Sequence, residues 1–438
     1  LLFVDLAATV ASLLILVAVR IGLWRRQAPR LSTVGAVGTI GGEGAARAAG
    51  AAGKPGAASG EGAAAAAGVA EADLPACTIL LPVRNEEVNL AECVASLAAQ
   101  TVPARVLIVD DNSEDRTGEM ARRLAAGSER VSTIAAGALR AGWKGKVHAL
   151  DVGQRQVATP WTLTTDADTR HAPELLARAL ATARERGLDA LSLAGFQEVV
   201  GLGEGLFTPL VFAVLDGLLG DWRRVAGGEA EVANGQFVLV RRAALEAVGG
   251  FASVRTEALD DVALARRLRR AGFRHAFFRA PDLLRIRMYR GFAGTFRGWR
   301  RNLGAIFAGR PALALAVMAL LLAPAALLLL GLLGLLGVVA AAAGAGGAAA
   351  AGTGSGGLGG AGGIGGTTGI AAIAGCLILW ACGSLASMMV RAGSGHFVPA
   401  GLLYPLDALI VAACIAAGLA DVSRGKLATW KGRAIDLG

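Results

Sequence analysis

Three apolar runs near the C-terminal end, residues 311–341, 367–390 and 398–420, limit the possible folds most. Each is as long as the roughly 20 residues an α-helix needs to cross a bilayer. In hydrocarbon the backbone must satisfy its own N–H and C=O groups, so a run of this kind is helical. A Gly-rich stretch at 344–366 and the polar segment 391–396 separate the three. A fourth run, residues 1–24, is interrupted only by Asp5 and Arg20 and leads into Trp24-Arg25-Arg26. The interfacial Trp and basic exit predict an N-terminal anchor over 1–25 with the following residues in the cytosol. A cleaved signal peptide is the rival reading, and no basic residue precedes Arg20 in the run. The pass count leaves a conflict: three C-terminal spans put the basic tail 424–433 outside, where the positive-inside rule asks for inside. Either the first span turns back at Pro324, or the tail breaks the rule.

Composition agrees with spans alternating with a water-soluble part, since 54% of residues are hydrophobic and only 18% charged. The net charge of +9 fits either nucleic acid or an anionic lipid surface. Basic residues clustered beside the spans point to lipid, with no nucleic-acid partner. Cys77, Cys93, Cys376, Cys382 and Cys414 form no CxxC pair and read as small buried hydrophobes. Residues 26–74, rich in Ala and Gly with scattered charge, read as a flexible linker.

From Cys77 to about Arg279 the pattern changes. Short apolar runs at 78–83, 106–109, 161–165 and 190–194 alternate with helical spacing at 88–99, 117–126, 147–157 and 173–186. This alternation predicts an α/β domain with a doubly wound, mostly parallel sheet. Ligands of such sheets sit beyond the carboxyl ends of the strands.

Three of those ends are polar or acidic. The first run closes on Pro82-Val83-Arg84-Asn85-Glu86-Glu87, the second on Asp110-Asp111-Asn112-Ser113-Glu114-Asp115, and the third on Asp166-Ala167-Asp168. A lone carboxylate there is commonly a helix cap, and Ser113 or Asp115 can be read so. Carboxylates gathered at one edge repel, and a bound cation neutralises them. Asp166 and Asp168 offer hard oxygens suited to Mg²⁺ or Mn²⁺ shared with a substrate diphosphate. Gly142-Trp143-Lys144-Gly145-Lys146 opens a helix, where two lysines and backbone N–H groups can meet phosphate, or form a solvated turn. Asn234-Gly235-Gln236-Phe237 leads into a strand. Asp260-Asp261 precedes a basic helix at 262–270 and either caps it or supplies a general base toward an acceptor hydroxyl. Residues 285–301 interleave arginines with Tyr289, Phe292, Phe296 and Trp299. That spacing predicts an amphipathic helix over 285–308 lying in the membrane interface, aromatic side in lipid.

Taken in order, the motifs resemble those of family 2 glycosyltransferases of the GT-A fold, and among them the membrane-bound hopene-associated and ceramide-glucosyltransferase-like enzymes. The resemblance rests on Pro82–Glu86, Val109–Ser113, Gly142–Lys146, Thr165–Asp168, Asn234-Gly235-Gln236 and Asp260-Asp261, with a weaker match at Trp430–Arg433. It implies a GT-A domain at 75–284, followed by the interfacial helix, transmembrane helices at 309–422 and a basic tail at 423–438. It implies a UDP-sugar donor held by Pro82, Arg84, Glu86, Asp110, Asp111, Lys144, Lys146 and Asp166, with Glu86 and Asp111 at the uridine. Asp166 and Asp168 would hold the metal, and Asp261, beside Asp260, would be the base of an inverting displacement. Asn234, Gly235, Gln236, Arg297, Trp299 and Arg300 would serve the acceptor side. The related synthases' QxxRW motif is altered to Arg297-Gly298-Trp299-Arg300-Arg301, which speaks against a processive polysaccharide synthase. The expectation is single transfer to a hydroxyl of a membrane lipid (hopanoid, carotenoid or sphingoid-type) at the cytosolic face of the cell membrane. A non-catalytic nucleotide-binding membrane protein is the alternative of another class.

Overall fold

In the computed structural model the described residues are 30–31, 76–218, 225–257, 259–349, 362–425, 428–430 and 433–435. The expected anchor at 1–25, nearly all of the expected linker and most of the basic tail lie outside them. The chain divides into two compact units.

The first unit holds the sheet. Strands β1 (Cys77–Val83), β2 (Ala104–Asp110), β3 (Val131–Ala135), β4 (Trp161–Thr164), β5 (Thr169–His171) and β6 (Ala190–Ala194) come first in the chain. The two-residue β7 (Phe196–Gln197), then β8 (Val238–Arg241), β9 (His275–Arg279) and β10 (Leu284–Ile286) follow. Helices α1 (Leu90–Ala98), α2 (Thr117–Ala126), α3 (Gly145–Gln154) and α4 (Leu175–Glu185) connect the early strands. The seven-stranded sheet runs β3-β2-β1-β4-β8-β6-β9. All its neighbours are parallel except β8, which is antiparallel to both β4 and β6. The expected mostly parallel α/β sheet is therefore present, with one reversed strand. The strands read as unbroken apolar runs because helices cover the sheet. Leu80, Val109, Leu150 and Val240 share one buried cluster with Phe251 and Leu268. In the segment expected as a linker, Arg30 bridges Arg279 at the β9 edge, and Leu31 is fully buried.

The second unit is helical. Among the described residues it contains α5 (Leu202–Gly205) and α6 (Thr208–Leu218). After α7 (Arg242–Ala247) and α8 (Asp260–Arg270) of the first unit come α9 (Gly291–Phe307), α10 (Pro311–Ala349), α11 (Gly362–Gly393) and α12 (Tyr404–Ser423). Two stretches, Ala374–Ala392 and Val398–Ser423, are long and apolar enough to cross a membrane. Leu329 and Leu333 on α10, Leu377 on α11 and Leu409 on α12 are all at least half exposed. Soluble proteins rarely expose such apolar surface, and lipid accommodates it.

Three expectations are corrected here. The helix predicted from 285 begins only at Gly291, whose φ of 65° lies in the left-handed region. Residues 284–286 are strand β10, laddered antiparallel to β5, and that pairing keeps them extended. On α9, Trp299 is 2% exposed and packs with Phe212 and Tyr289 in the helical core instead of facing outward. Nor does the chain turn back at Pro324, which lies inside the unbroken α10.

Charges and glycines lock the helical unit. Arg300 makes a two-pronged ion pair with Asp421, both contacts at 2.6 Å. Buried Arg391 pairs with buried Asp407 and donates to the carbonyls of Gly205 and Leu206. Where α9 crosses α12, a Cβ at Gly418 would lie 2.3 Å from Arg300 O and 2.8 Å from Gly304 Cα. Both are backbone atoms that cannot move alone. Gly418→Val therefore costs about 3 kcal/mol or more by overpacking, read as a lower Tm of the detergent-solubilised protein. An unchanged Tm refutes the close crossing.

Candidate active site

The reversal of β8 decides which segments meet. Because Thr164 pairs with Val238, the residues entering β8 sit at the same sheet edge as those leaving β4. That edge also carries the ends of β1 and β2, since β1 runs parallel to both β4 and β2.

The Asp166–Asp168 turn is braced from below. Thr165 donates its hydroxyl to Gln236 O at 2.7 Å, and Thr169 donates to Asp166 O at 2.7 Å. His171 Nε2 lies 3.1 Å from Thr165 Oγ1 and 3.0 Å from Thr169 Oγ1. Burial, aided by the charge of Arg170, pushes the His171 pKa down to about 3, so the brace stays neutral. Asn234 closes the facing wall. Its N–H donates to Ser192 Oγ and its amide to Leu193 O and Gln236 Oε1.

Four charged groups then gather. Lys146, in the first turn of α3, places Nζ 2.7 Å from Asp166 Oδ1. The Gly235 N–H donates to Asp261 Oδ2 at 2.6 Å, and the Val262 N–H to Asp261 Oδ1 at 2.8 Å. Lys146, Thr164, Gly235, Asp260 and Asp261 line one cleft. Burial, then the neighbouring Asp260 charge, pushes Asp261 up to about 6 despite Lys146 and the backbone donors. For Lys146 burial pulls the other way, but Asp166, Asp260 and Asp261 together outweigh it and hold the ammonium above its ordinary range. Asp260 and Asp261 occupy the first turn of α8, whose N-cap is Leu259, and no side-chain cap bond forms. Asp261 nevertheless accepts the first-turn Val262 N–H, so it satisfies a donor at the helix end as well as facing the cleft.

Several other residues expected at the donor make framework contacts within the chain. Arg84 is buried and donates to Asp111 O and Asn112 O at 2.7 Å, and it pairs with Glu114 at 2.8 Å. Its guanidinium ties the loop after β2 to the end of β1. Pro82 is buried within β1 opposite Val109. Asp110 Oδ1 accepts from both the N–H and the hydroxyl of Ser113. Asp111 is 1% exposed, and its N–H donates to Val83 O. Glu86 is half-buried, with its N–H on Thr117 Oγ1 and Oε2 accepting from Asn89. Lys144 donates its backbone N–H to Arg255 O. Asn85 and Asn112 have φ of 51° and 54°, a conformation asparagine tolerates better than most residues. In the helical unit, Arg297 is exposed, Trp299 is core and Arg300 is held by Asp421.

Among the described residues no group of three or more His, Cys, Asp or Glu side chains forms a metal cage. Asp166 and Asp168, two hard-oxygen donors on one turn with Asp166 already holding a cationic group, suit a divalent ion whose shell a diphosphate completes. Sequence reading missed that Lys146 partners Asp166, because they lie 20 residues apart and nothing local links them. It also missed Arg391 and Asp407, for which charges inside apolar runs were the available signal.

Residues 78–204 match the family described as Glycosyl transferase family 2. The 4,4'-diaponeurosporenoate glycosyltransferase of Staphylococcus haemolyticus is 24% identical over 232 residues, 52% of this chain and 60% of that one. Its counterpart from Staphylococcus aureus (strain USA300) is 27% identical over 242 residues, with the same shares. The chain thus spans 60% of the length of these relatives. A solved mannosyltransferase from Pyrobaculum calidifontis, in complex with GDP-Man and Mn²⁺, aligns with 96% of this chain and 98% of its own at 16% identity. Its TM-score of 0.45 is too low to carry weight.

Gly235 separates the two acidic arms of the cleft. A Cβ there would lie 3.0 Å from Lys146 Nζ and 3.2 Å from Asp261 Oδ2. Gly235→Ala therefore shifts both groups and lowers turnover about tenfold or more with little change in Tm. Wild-type turnover in that variant would show the cleft to be looser than this geometry.

Proposed function

We propose that the chain is a glycosyl transferase of family 2, the family its residues 78–204 match, and that it transfers a sugar with inversion from a UDP-sugar to a hydroxyl of a membrane lipid. The convergence of Asp166, Asp168, Lys146 and Asp261 at one sheet edge is the observation that carries this reading. Asp166 and Asp168 would hold Mg²⁺ or Mn²⁺, whose charge would offset that of the diphosphate. Lys146, with Lys144 at the start of α3, meets the phosphates, and Glu86 with the loops after β1 and β2 surrounds the nucleotide.

Asp261 acts on the acceptor. Each of its oxygens accepts one backbone N–H, and each keeps a lone pair. The acceptor oxygen attacks the anomeric carbon and its proton passes to Asp261. The bond from that carbon to the diphosphate breaks, and the diphosphate takes the electron pair. Relatives named for a carotenoid-type acceptor and the two membrane-length helices support a lipid substrate. The two helices also fit residence in the cell membrane, the basic Trp24-Arg25-Arg26 exit is the ground for reading the catalytic domain at 75–284 as cytosolic, and the arginines of α9 suit an anionic lipid surface.

A second reading follows from the relatives' printed acceptor, diaponeurosporenoate, a carboxylate by its name. A carboxylate arrives already deprotonated and needs no base. The two readings part at Asp261. With a hydroxyl acceptor, Asp261→Asn lowers kcat by about 10²–10⁴-fold and leaves UDP-sugar binding intact. Since its pKa lies near 6, Asp261 is protonated below that pH and becomes a competent base above it. kcat/KM therefore rises through an acid limb near pH 6 in the wild type, and that limb vanishes in the variant. Membranes supplied with labelled UDP-glucose, UDP-galactose and UDP-N-acetylglucosamine, followed by lipid extraction, measure transfer directly. Turnover near wild type in Asp261→Asn removes it from the mechanism, and no labelled lipid with any donor sinks the proposal.

A further inference from the structure

The contact between Lys146 and Asp166 has a role beyond binding phosphate. Three carboxylates, Asp166, Asp260 and Asp261, bear on one ammonium, and Lys146 touches the Asp166 oxygen at 2.7 Å. Both partners are partly screened from water, with side chains 21% and 31% exposed, so their attraction is stronger than that of an open surface pair. Gly235 packs close against the ammonium and hydrogen-bonds Asp261, so the same lysine lies between the donor-side and acceptor-side acids.

We propose that Lys146 is a resident counter-ion that occupies Asp166 until a divalent cation with its nucleotide displaces it. This rests on the metal-dependent donor site proposed above. Without ligand the bare acids would repel one another, and a built-in cation keeps the turn in its binding shape. On donor binding Lys146 yields Asp166 and swings its ammonium to the incoming diphosphate. The order of events follows from charge. The free cation alone must compete with Lys146, whereas the cation bound to nucleotide brings a new anionic partner for it. The site therefore discriminates against metal without donor.

The test is Mn²⁺ binding to the purified full chain, followed by electron paramagnetic resonance of free Mn²⁺, with and without UDP. Lys146→Gln removes the competitor and tightens nucleotide-free Mn²⁺ binding about fivefold. Lys146→Arg keeps the charge and stays within about twofold of wild type. With UDP present the ranking reverses, and Lys146→Gln binds the nucleotide more weakly than wild type. A purely structural lysine would loosen Mn²⁺ binding when removed, the opposite sign. Equal or weaker Mn²⁺ affinity in Lys146→Gln overturns the counter-ion role while leaving the donor site standing. No Mn²⁺ binding by wild type or either variant, even with UDP, overturns the counter-ion and the metal assignment together.

Discussion

The antiparallel pairing of β8 against β4 is the constraint from which the rest of the catalytic unit follows. A parallel strand at that position would deliver its entering residues to the opposite edge of the sheet. With the direction reversed, the Asn234–Gly235 turn stands beside the Asp166–Asp168 turn, and the two are joined by the Thr165 hydroxyl on Gln236 O. Asp261 is then fixed by the Gly235 N–H, so the first turn of α8 is positioned through a backbone donor on β8's approach. One reversed strand thus accounts for how acids more than 90 residues apart in sequence share a cleft.

Burying carboxylates together is unfavourable, and the fold answers with both charge and dipoles. Lys146 supplies the charge, while the Gly235 and Val262 N–H groups supply the dipoles on Asp261. The balance is not even. Asp261 keeps a raised affinity for protons although it accepts two hydrogen bonds, whereas burial lowers that of His171 and keeps the brace beneath Asp166 neutral. Two carboxylate environments of different character within one cleft suit a division of labour between metal or donor binding and proton removal.

Much of the first unit was legible in the sequence because its strands are apolar on both faces and their ends are polar. The runs at 78–83, 106–109, 161–165 and 190–194 correspond to β1, β2, β4 and β6 within a few residues. Strands β3 and β5 were not legible: β3 buries only one of its five residues, and β5 has only three. Contacts made across the fold were hidden for a different reason. Arg84 reads from its motif as a donor-site residue, and nothing local shows that its guanidinium also donates to carbonyls 27 and 28 residues on. Trp299 looks like an interfacial anchor beside arginines, yet the near neighbours Phe212 and Tyr289 enclose it. Periodicity reports which face of a helix is apolar and says nothing of whether protein or lipid covers it.

The buried pair Arg391–Asp407 links the last turns of α11 to the first turn of α12, across the short connection at 394–403. Either helix delivered alone to hydrocarbon would carry one uncompensated charge, at a cost of a few kcal/mol that depends on depth. Together they enter neutral. The two helices paired as a hairpin thus leave neither charge of this pair uncompensated, which neither helix achieves alone.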